Sequence, residues 1–205
     1  MVKNILYIVL LITISSCKQK YRWSPSECAP KHYPAKILTN DYRFKNGGGV
    51  GTLGRTAGGS GWGHSGASYA VGERLKPVPD SLIVNWFSVT EGKFYKGRFK
   101  LNQNAIEKEL KEGDVGIYTC FAPHGRVVVY TAGKNGDNAV ERFRAIEDTA
   151  MTVTKYRLNN SQVKSVEQYV KEYGKEYMAD SLYLKEILSK EIRDYVKKHG
   201  IPDRW

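Results

Sequence analysis

The chain has 205 residues, 41% of them hydrophobic and 26% charged, with a formal net charge of +11. That is enough apolar material for a real core, and the length behind the leader suits one domain, or one domain with an appendage. Beyond the N-terminus there is no second long apolar stretch, which excludes a further membrane crossing by a helix.

The N-terminus reads MVKNILYIVLLITISSC. Lys3 supplies a positive start, and the run from Ile5 to Ile14 is interrupted only by Thr13. That run is too short for a bilayer core of about 30 Å, so it reads as the apolar segment of a signal peptide over residues 1–16. Ile14-Ser15-Ser16-Cys17 resembles the lipobox of bacterial lipoproteins. The resemblance implies that Cys17 takes the lipid (palmitate among its acyl chains), with residues 17–24 as a tether. An ordinary secretory signal ending near a cysteine is the alternative. Lys18 stands where an inner-membrane retention aspartate would, and no acidic run follows. The expected location is therefore the outer membrane, lipid-anchored and facing the periplasm.

The basic surplus is uneven. Residues 18–100 carry 14 Lys/Arg against 5 Asp/Glu, residues 101–154 carry 6 against 8, and residues 155–205 carry 11 against 8. The compartment argues against nucleic acid, leaving an acidic protein partner or anionic lipid headgroups as targets; plain surface solubility accounts for the lysines equally well. Cys28 and Cys120 are the other two thiols, each followed closely by a proline. An oxidising compartment permits a disulfide between them, and two buried free thiols are the other outcome.

In chain order, Tyr21–Ser24 and Ala35–Phe44 read as strands, with Pro25, Pro30 and Pro34 breaking the interval. The stretch from Gly47 to Gly66 follows and holds ten of the 20 glycines; a short strand is expected at Ala67–Val71. Leu82–Val89 is the strongest β signal. KFYKGRFKL alternates, apart from Phe94, and pairs back on it through the turn Thr90-Glu91-Gly92. Asn102 or Asn104 caps a short helix over Ala105–Lys111, stopped by Gly113. Strands resume at Val115–Phe121, Arg126–Ala132 and Ala139–Ile146, so the middle is expected to be antiparallel and built from local hairpins. From Asn159 the spacing turns helical: Val163, Val166, Val170, Tyr173 and Tyr177 mark one face. Leu184, Ile187 or Leu188, Ile192, Tyr195 and Val196 mark a second, ending at Gly200 and Pro202.

The glycine-rich stretch contains G-x-G-x-x-G at Gly49, Gly51 and Gly54, but no helix opens after it and no G-K-[S/T] follows, so it lacks a nucleotide site's context. Gly63-His64-Ser65-Gly66-Ala67 has alanine where a serine elbow needs its last glycine. His64 and Ser65 with an acidic partner form the hydrolase alternative. His32, His64, His124 and His199 follow no metal-ligand spacing, and no metal or other cofactor is expected. Glu91 reads as a solvated turn residue. Arg55, Trp62 and His64 form the candidate binding surface, since Trp and Arg dominate interface hot spots; the competing reading buries Trp62 in the core.

These motifs resemble a family of uncharacterised lipoproteins from Gram-negative bacteria, a domain of unknown function, matched mainly over residues 17–147. The resemblance rests on the lipobox at Cys17, Tyr33-Pro34, Trp62-Gly63, Val71-Gly72-Glu73, LKPVPDSLIVNWFSVTEGKFYKGRFKL and Phe121–Val129, with Gly200–Trp205 as a similar ending. It implies no catalytic residue.

The expected fold is α+β: an antiparallel sheet or sandwich over residues 25–158 with a short inserted helix. A C-terminal helical pair over residues 159–205 packs on the same core. The expected function is a non-enzymatic, membrane-anchored binding module with a protein partner, in one form an immunity-type inhibitor of a secreted toxin. The alternatives are the His64/Ser65 hydrolase and a passive envelope component on anionic lipid or cell-wall polymer.

Overall fold

The computed structural model describes residues 19–52, 54, 56–58, 61, 72–113, 115–133, 136–159, 165–174 and 188–203. The chain is α+β. One sheet has the order β10-β9-β8-β1-β5, made of β10 (Gly136–Arg144), β9 (Arg126–Gly133), β8 (Val115–Ala122), β1 (Lys20–Cys28) and β5 (Leu75–Pro77). The other has the order β11-β7-β6-β2-β3, made of β11 (Ile146–Glu147), β7 (Lys93–Lys100), β6 (Ser81–Ser88), β2 (Ala35–Arg43) and β3 (Gly49–Gly51), with β4 (Thr56–Ala57) also on β2.

The two sheets pack face to face because their central strands each bury an apolar face. On β6, Leu82, Val84 and Trp86 are buried and stand opposite Phe99, Gly97 and Tyr95 of β7. Trp86 meets Phe121 of the other sheet at 5.1 Å between ring centroids, and Trp23 meets Tyr42 edge-on at 5.6 Å. Such aromatic pairs add about 0.5–1.5 kcal/mol beyond their buried area. A polar relay crosses the same interface. Tyr42 Oη and Thr119 Oγ1 lie 2.7 Å apart, Thr119 Oγ1 donates to Asn40 Oδ1 at 2.7 Å, and Asn40 Nδ2 donates to the Ser26 carbonyl at 3.3 Å. With its own proton committed to Asn40, Thr119 accepts from Tyr42. Complete burial pushes the Tyr42 phenol up from its ordinary value, which keeps it a donor.

Phe94, the one break in the alternation of β7, faces outward and is still buried. It joins Phe87, Val89 and Val153 in a second core, covered by α2 (Val153–Asn159) and by Met151, Tyr156 and Leu188. The sequence pattern did not announce α2, since Val153 and Thr154 favour strands. Its signal is the cap: Thr152 Oγ1 accepts from Lys155 N at 3.2 Å. The inserted helix α1 (Gln103–Leu110) is capped by Asn102, whose Oδ1 accepts from Ala105 N at 3.2 Å, and it buries Ile106 and Leu110.

Three expectations are corrected. Pro25 does not end the first strand: β1 begins at Lys20 and runs through Pro25 to Cys28. Strand β5 covers only Lys20–Arg22, so at Pro25 one side of β1 has no strand, among the described residues, to which a donor is owed. Nor is the pairing all antiparallel, because β1 and β8 run parallel from Trp23↔Val115 to Cys28↔Cys120. The strand expected at Ala139–Ile146 divides at Ala145 into β10 and β11, which belong to different sheets. The G-x-G of the glycine-rich stretch lies on β3, where a Cβ on Gly49 or Gly51 would strike Tyr42 or Asp41 of β2. Those glycines let two strands close up. The strand expected at Ala67–Val71 lies outside the described residues.

The C-terminal helices are α3 (Val166–Tyr173), capped by Ser165, and α4 (Lys190–His199), capped by Ser189 and closed by Gly200 at φ 69°. Neither buries a described residue completely. Helix α4 is held by edge contacts instead. Tyr195 stacks on His32 with 3.9 Å between centroids, and Tyr33 Oη donates to the Gly200 carbonyl at 2.6 Å.

Cys28 and Cys120 are register partners in the parallel ladder and are joined by a disulfide, with their Cα atoms 4.4 Å apart and a separation of 92 positions in sequence. Closing a loop of that length restricts the unfolded chain by about 4–5 kcal/mol. Replacing both cysteines with serine is expected to lower unfolding free energy by about 2–5 kcal/mol in denaturant titration. Reductant should reproduce the loss in the parent and leave the double variant unchanged.

Candidate functional site

The parallel register gives the sandwich two distinct ends. At one, β1 starts at Lys20 beside Pro77 and close to Phe44, since Trp23 packs on Phe44 and its Nε1 donates to the Pro77 carbonyl. The other end is about 26 Å away along β1, at ~3.3 Å per residue. It gathers four segments: the β1–β2 connection at His32-Tyr33, the β6–β7 turn at Glu91, the β8–β9 turn at His124, and residues 200–203 after α4.

Glu91 is the centre of this end, and the expectation that it is solvated is overturned. Its side chain is only 6% exposed. The carboxylate accepts from the His124 backbone N–H at 3.0–3.1 Å and from Tyr95 Oη at 3.0 Å, and its Oε1 lies 3.1 Å from His124 Nδ1. The turn sequence alone could not reveal this, because the donors come from a neighbouring strand and a distant hairpin. Burial, followed by the charge of Glu91, raises the Tyr95 pKa, so Tyr95 remains a donor.

The same bonds fix His124 in a left-handed backbone conformation, φ 61°, which is costly for a residue with a side chain. Gly125 follows at φ 71°, and a Cβ there would run into the Ala145 carbonyl and the Tyr95 ring. Ala145 N donates to the Gly125 carbonyl at 2.7 Å, tying this turn to the corner where β10 becomes β11. Arg126, next along, donates through Nη1 to the Pro202 carbonyl at 3.0 Å and through Nη2 to the Asp203 carbonyl. Burial first, and Arg144 second, draw its pKa below the usual guanidinium range. Two cations therefore stand at this end, one of them latched to the chain terminus.

A groove of about 550 Å³ begins at this corner and runs over the outer face of β6 and β7. Its lining includes Ile83, Asn85, Lys96, Arg98, Arg144 and Ile146. A second groove, of about 540 Å³, lies at the β1-start end between Gln19, Phe44, Pro77, Val78 and Glu107. There Tyr21 Oη donates to Glu107 Oε1 at 2.7 Å. Burial and this carboxylate push the Tyr21 phenol up to about 12, and the bond holds Glu107 below its usual value.

Of the residues singled out in sequence, Cys17, Arg55, Trp62, His64 and Ser65 lie outside the described residues. Cys28 and Cys120 are bonded to each other at the end of β1 that faces Glu91. His32 and His199 both lie against Tyr195, and among the described residues no group of acidic, histidine and cysteine side chains is arranged to hold a metal ion. Chemically, the Glu91–His124 pair has the form of an orienting carboxylate and an imidazole. The acid, however, is already engaged by the His124 backbone N–H and the Tyr95 hydroxyl. The arrangement makes a rigid, cation-bearing turn.

Removing the acceptor should expose that rigidity. Glu91→Ala strands buried donors and is expected to cost about 2–3 kcal/mol of unfolding free energy. His124→Gly sheds the left-handed strain along with the imidazole and is expected to stay within about 1 kcal/mol of the parent. Denaturant titration of both variants measures the contrast.

The sequence matches a protein-family model, "Protein of unknown function (DUF2931)", over residues 13–203. No curated protein and no solved structure matches the chain significantly. The family match spans every strand and helix described above, and the chain belongs to the DUF2931 family.

Proposed function

We propose that this chain is a lipid-anchored binding module outside the cytoplasm, held in the outer membrane and facing the periplasm. It engages a protein partner with the end of the sandwich remote from its anchor, and inhibition of a toxic effector at the membrane surface is one form that such binding takes. The observation that carries this reading is the polarity of the sandwich. Strand β1 begins at Lys20, three positions after Cys17, while the turns of Glu91, His124 and Arg126 lie at its far end. Three extended residues span about 10 Å, so acylation of Cys17 keeps the β1-start end against the headgroups and leaves the far end projecting.

Two further features support it. A disulfide between Cys28 and Cys120 suits an oxidising compartment. The buried acid of the far end is used to fix a turn, which favours a preformed binding surface over acid–base chemistry.

A photo-crosslinking amino acid placed at exposed Lys31, beside the Glu91 end, or at exposed Lys45, at the anchored end, tests the proposal in intact cells. The expected result is a protein adduct from position 31 and none from position 45. Cys17→Ala should move the chain from the membrane to the soluble fraction. No adduct from position 31, or adducts from position 45 alone, overturns the binding reading; a Cys17→Ala chain that stays with the membrane overturns the anchor.

A further inference from the structure

The groove on the outer face of β6 and β7 combines three properties. The first is an open strand edge. Strand β11 pairs with β7 only at Tyr95 and Lys96, so Gly97–Lys100 have β6 on one side and no strand on the other among the described residues. Unpaired backbone on such an edge is a template for an added strand.

The second is exposed apolar surface beside that edge. Ile146 is 66% exposed, and Ile83, the cross-strand partner of Arg98, lines the groove with it. The Phe99 ring turns over Gly97 and stacks on Phe143 at 4.5 Å, which plugs the inner side of this edge and leaves the outer side open.

The third is charge of one sign. Lys96, Arg98 and Arg144 line the groove, and among the described residues no acid does. Lys96 is engaged by Asp148 at 3.0 Å, but neither Arg98 nor Arg144 has a carboxylate partner among the described residues. Asn85 adds a buried Oδ1 without a donor. The groove at the anchored end has no such bias, because Glu107 lines it along with Lys20 and Lys45.

We infer that the groove takes an extended acidic segment of the partner protein. That segment adds as a strand along Gly97–Lys100, sets an aliphatic side chain against Ile83 and Ile146, and places carboxylates on Arg98 and Arg144. Asn85 Oδ1 accepts one of its donors. The inference rests on the reading that the protein binds a protein partner, and it assigns the chemistry of that partner. Arg144 belongs to the corner tied to the His124 turn, so the groove continues the far-end surface onto the flank of the sandwich.

The test uses the full mature chain in detergent and a displayed library of random peptides about twelve residues long. Recovered peptides are expected to be rich in Asp and Glu around an aliphatic residue, and to bind less tightly as salt rises. Arg98→Glu with Arg144→Glu should weaken them by about tenfold or more, and Ile146→Asp by a similar factor. Lys20→Glu with Lys45→Glu should leave affinity within about twofold, since those residues lie at the other end. Neither arginine has a carboxylate partner among the described residues, so the reversed variant is expected to melt with the parent, which separates lost binding from lost folding. Failure to recover acidic peptides, or recovery of peptides indifferent to Arg98→Glu, overturns the inference. A position-31 adduct that forms while the groove variants bind unchanged removes the groove and leaves the binding module standing. Peptide binding in the groove without any adduct in cells does the reverse.

Discussion

Everything in this fold depends on the parallel alignment of β1 with β8. Strand β1 is the only described element that joins the small strand β5 to the β8–β9–β10 meander, and its last residue is bonded through sulfur to its register partner. The cross-sheet relay needs the same alignment, since it starts on Tyr42 of β2, passes through Thr119 of β8 and Asn40 of β2, and ends on the Ser26 carbonyl of β1. A shift of β1 by one residue would turn Trp23 out of the core and take Ser26 from the relay. Register, relay and disulfide are therefore three expressions of one constraint, and that constraint gives the molecule its two unlike ends.

Local features of the fold were readable in the sequence. The β6–β7 hairpin follows from the β signal of Leu82–Val89 and the alternation of KFYKGRFKL apart from Phe94, and α1 from a capping Asn102 or Asn104 with Gly113 as its stop. Even the exception was informative, because Phe94 broke the pattern and proved to belong to a second core on the other face. What was not readable depends on partners far away in sequence. Proline argues against a strand only where a ladder bond is owed, and at Pro25 that depended on how far β5 extends. The corner at Ala145 looked like part of the one strand Ala139–Ile146 because the residues on both sides suit β structure equally well.

The candidate site follows the same division. Glu91 was recognisable as a turn residue, but its burial is imposed by His124, 33 positions away, and by Tyr95 on the next strand. Motifs that looked separate in sequence, Tyr33-Pro34, the Glu91 turn, Pro123-His124-Gly125-Arg126 and the Gly200–Asp203 ending, meet at one end of the sandwich. The glycine-rich stretch was prominent by composition, yet its described part serves close packing of β3 on β2. Composition drew attention to the loop, whereas geometry draws it to the turns.

The pairing of β1 with β8 also bears on the order in which the chain can assemble. However it emerges, from ribosome or channel, β1 comes first and its partner strand appears 92 residues later. Until then the stretch from Trp23 to Cys28 has no β8 beside it, and a large loop must close before that pairing is rewarded. The β6–β7 hairpin and the β8–β9–β10 meander can form early from neighbouring residues, so β1 is captured into a sheet that already exists. Strand β1 is thus among the last parts of the core to become rigid, and the polypeptide passes through a stage in which Trp23 waits uncovered for the sheets that bury it.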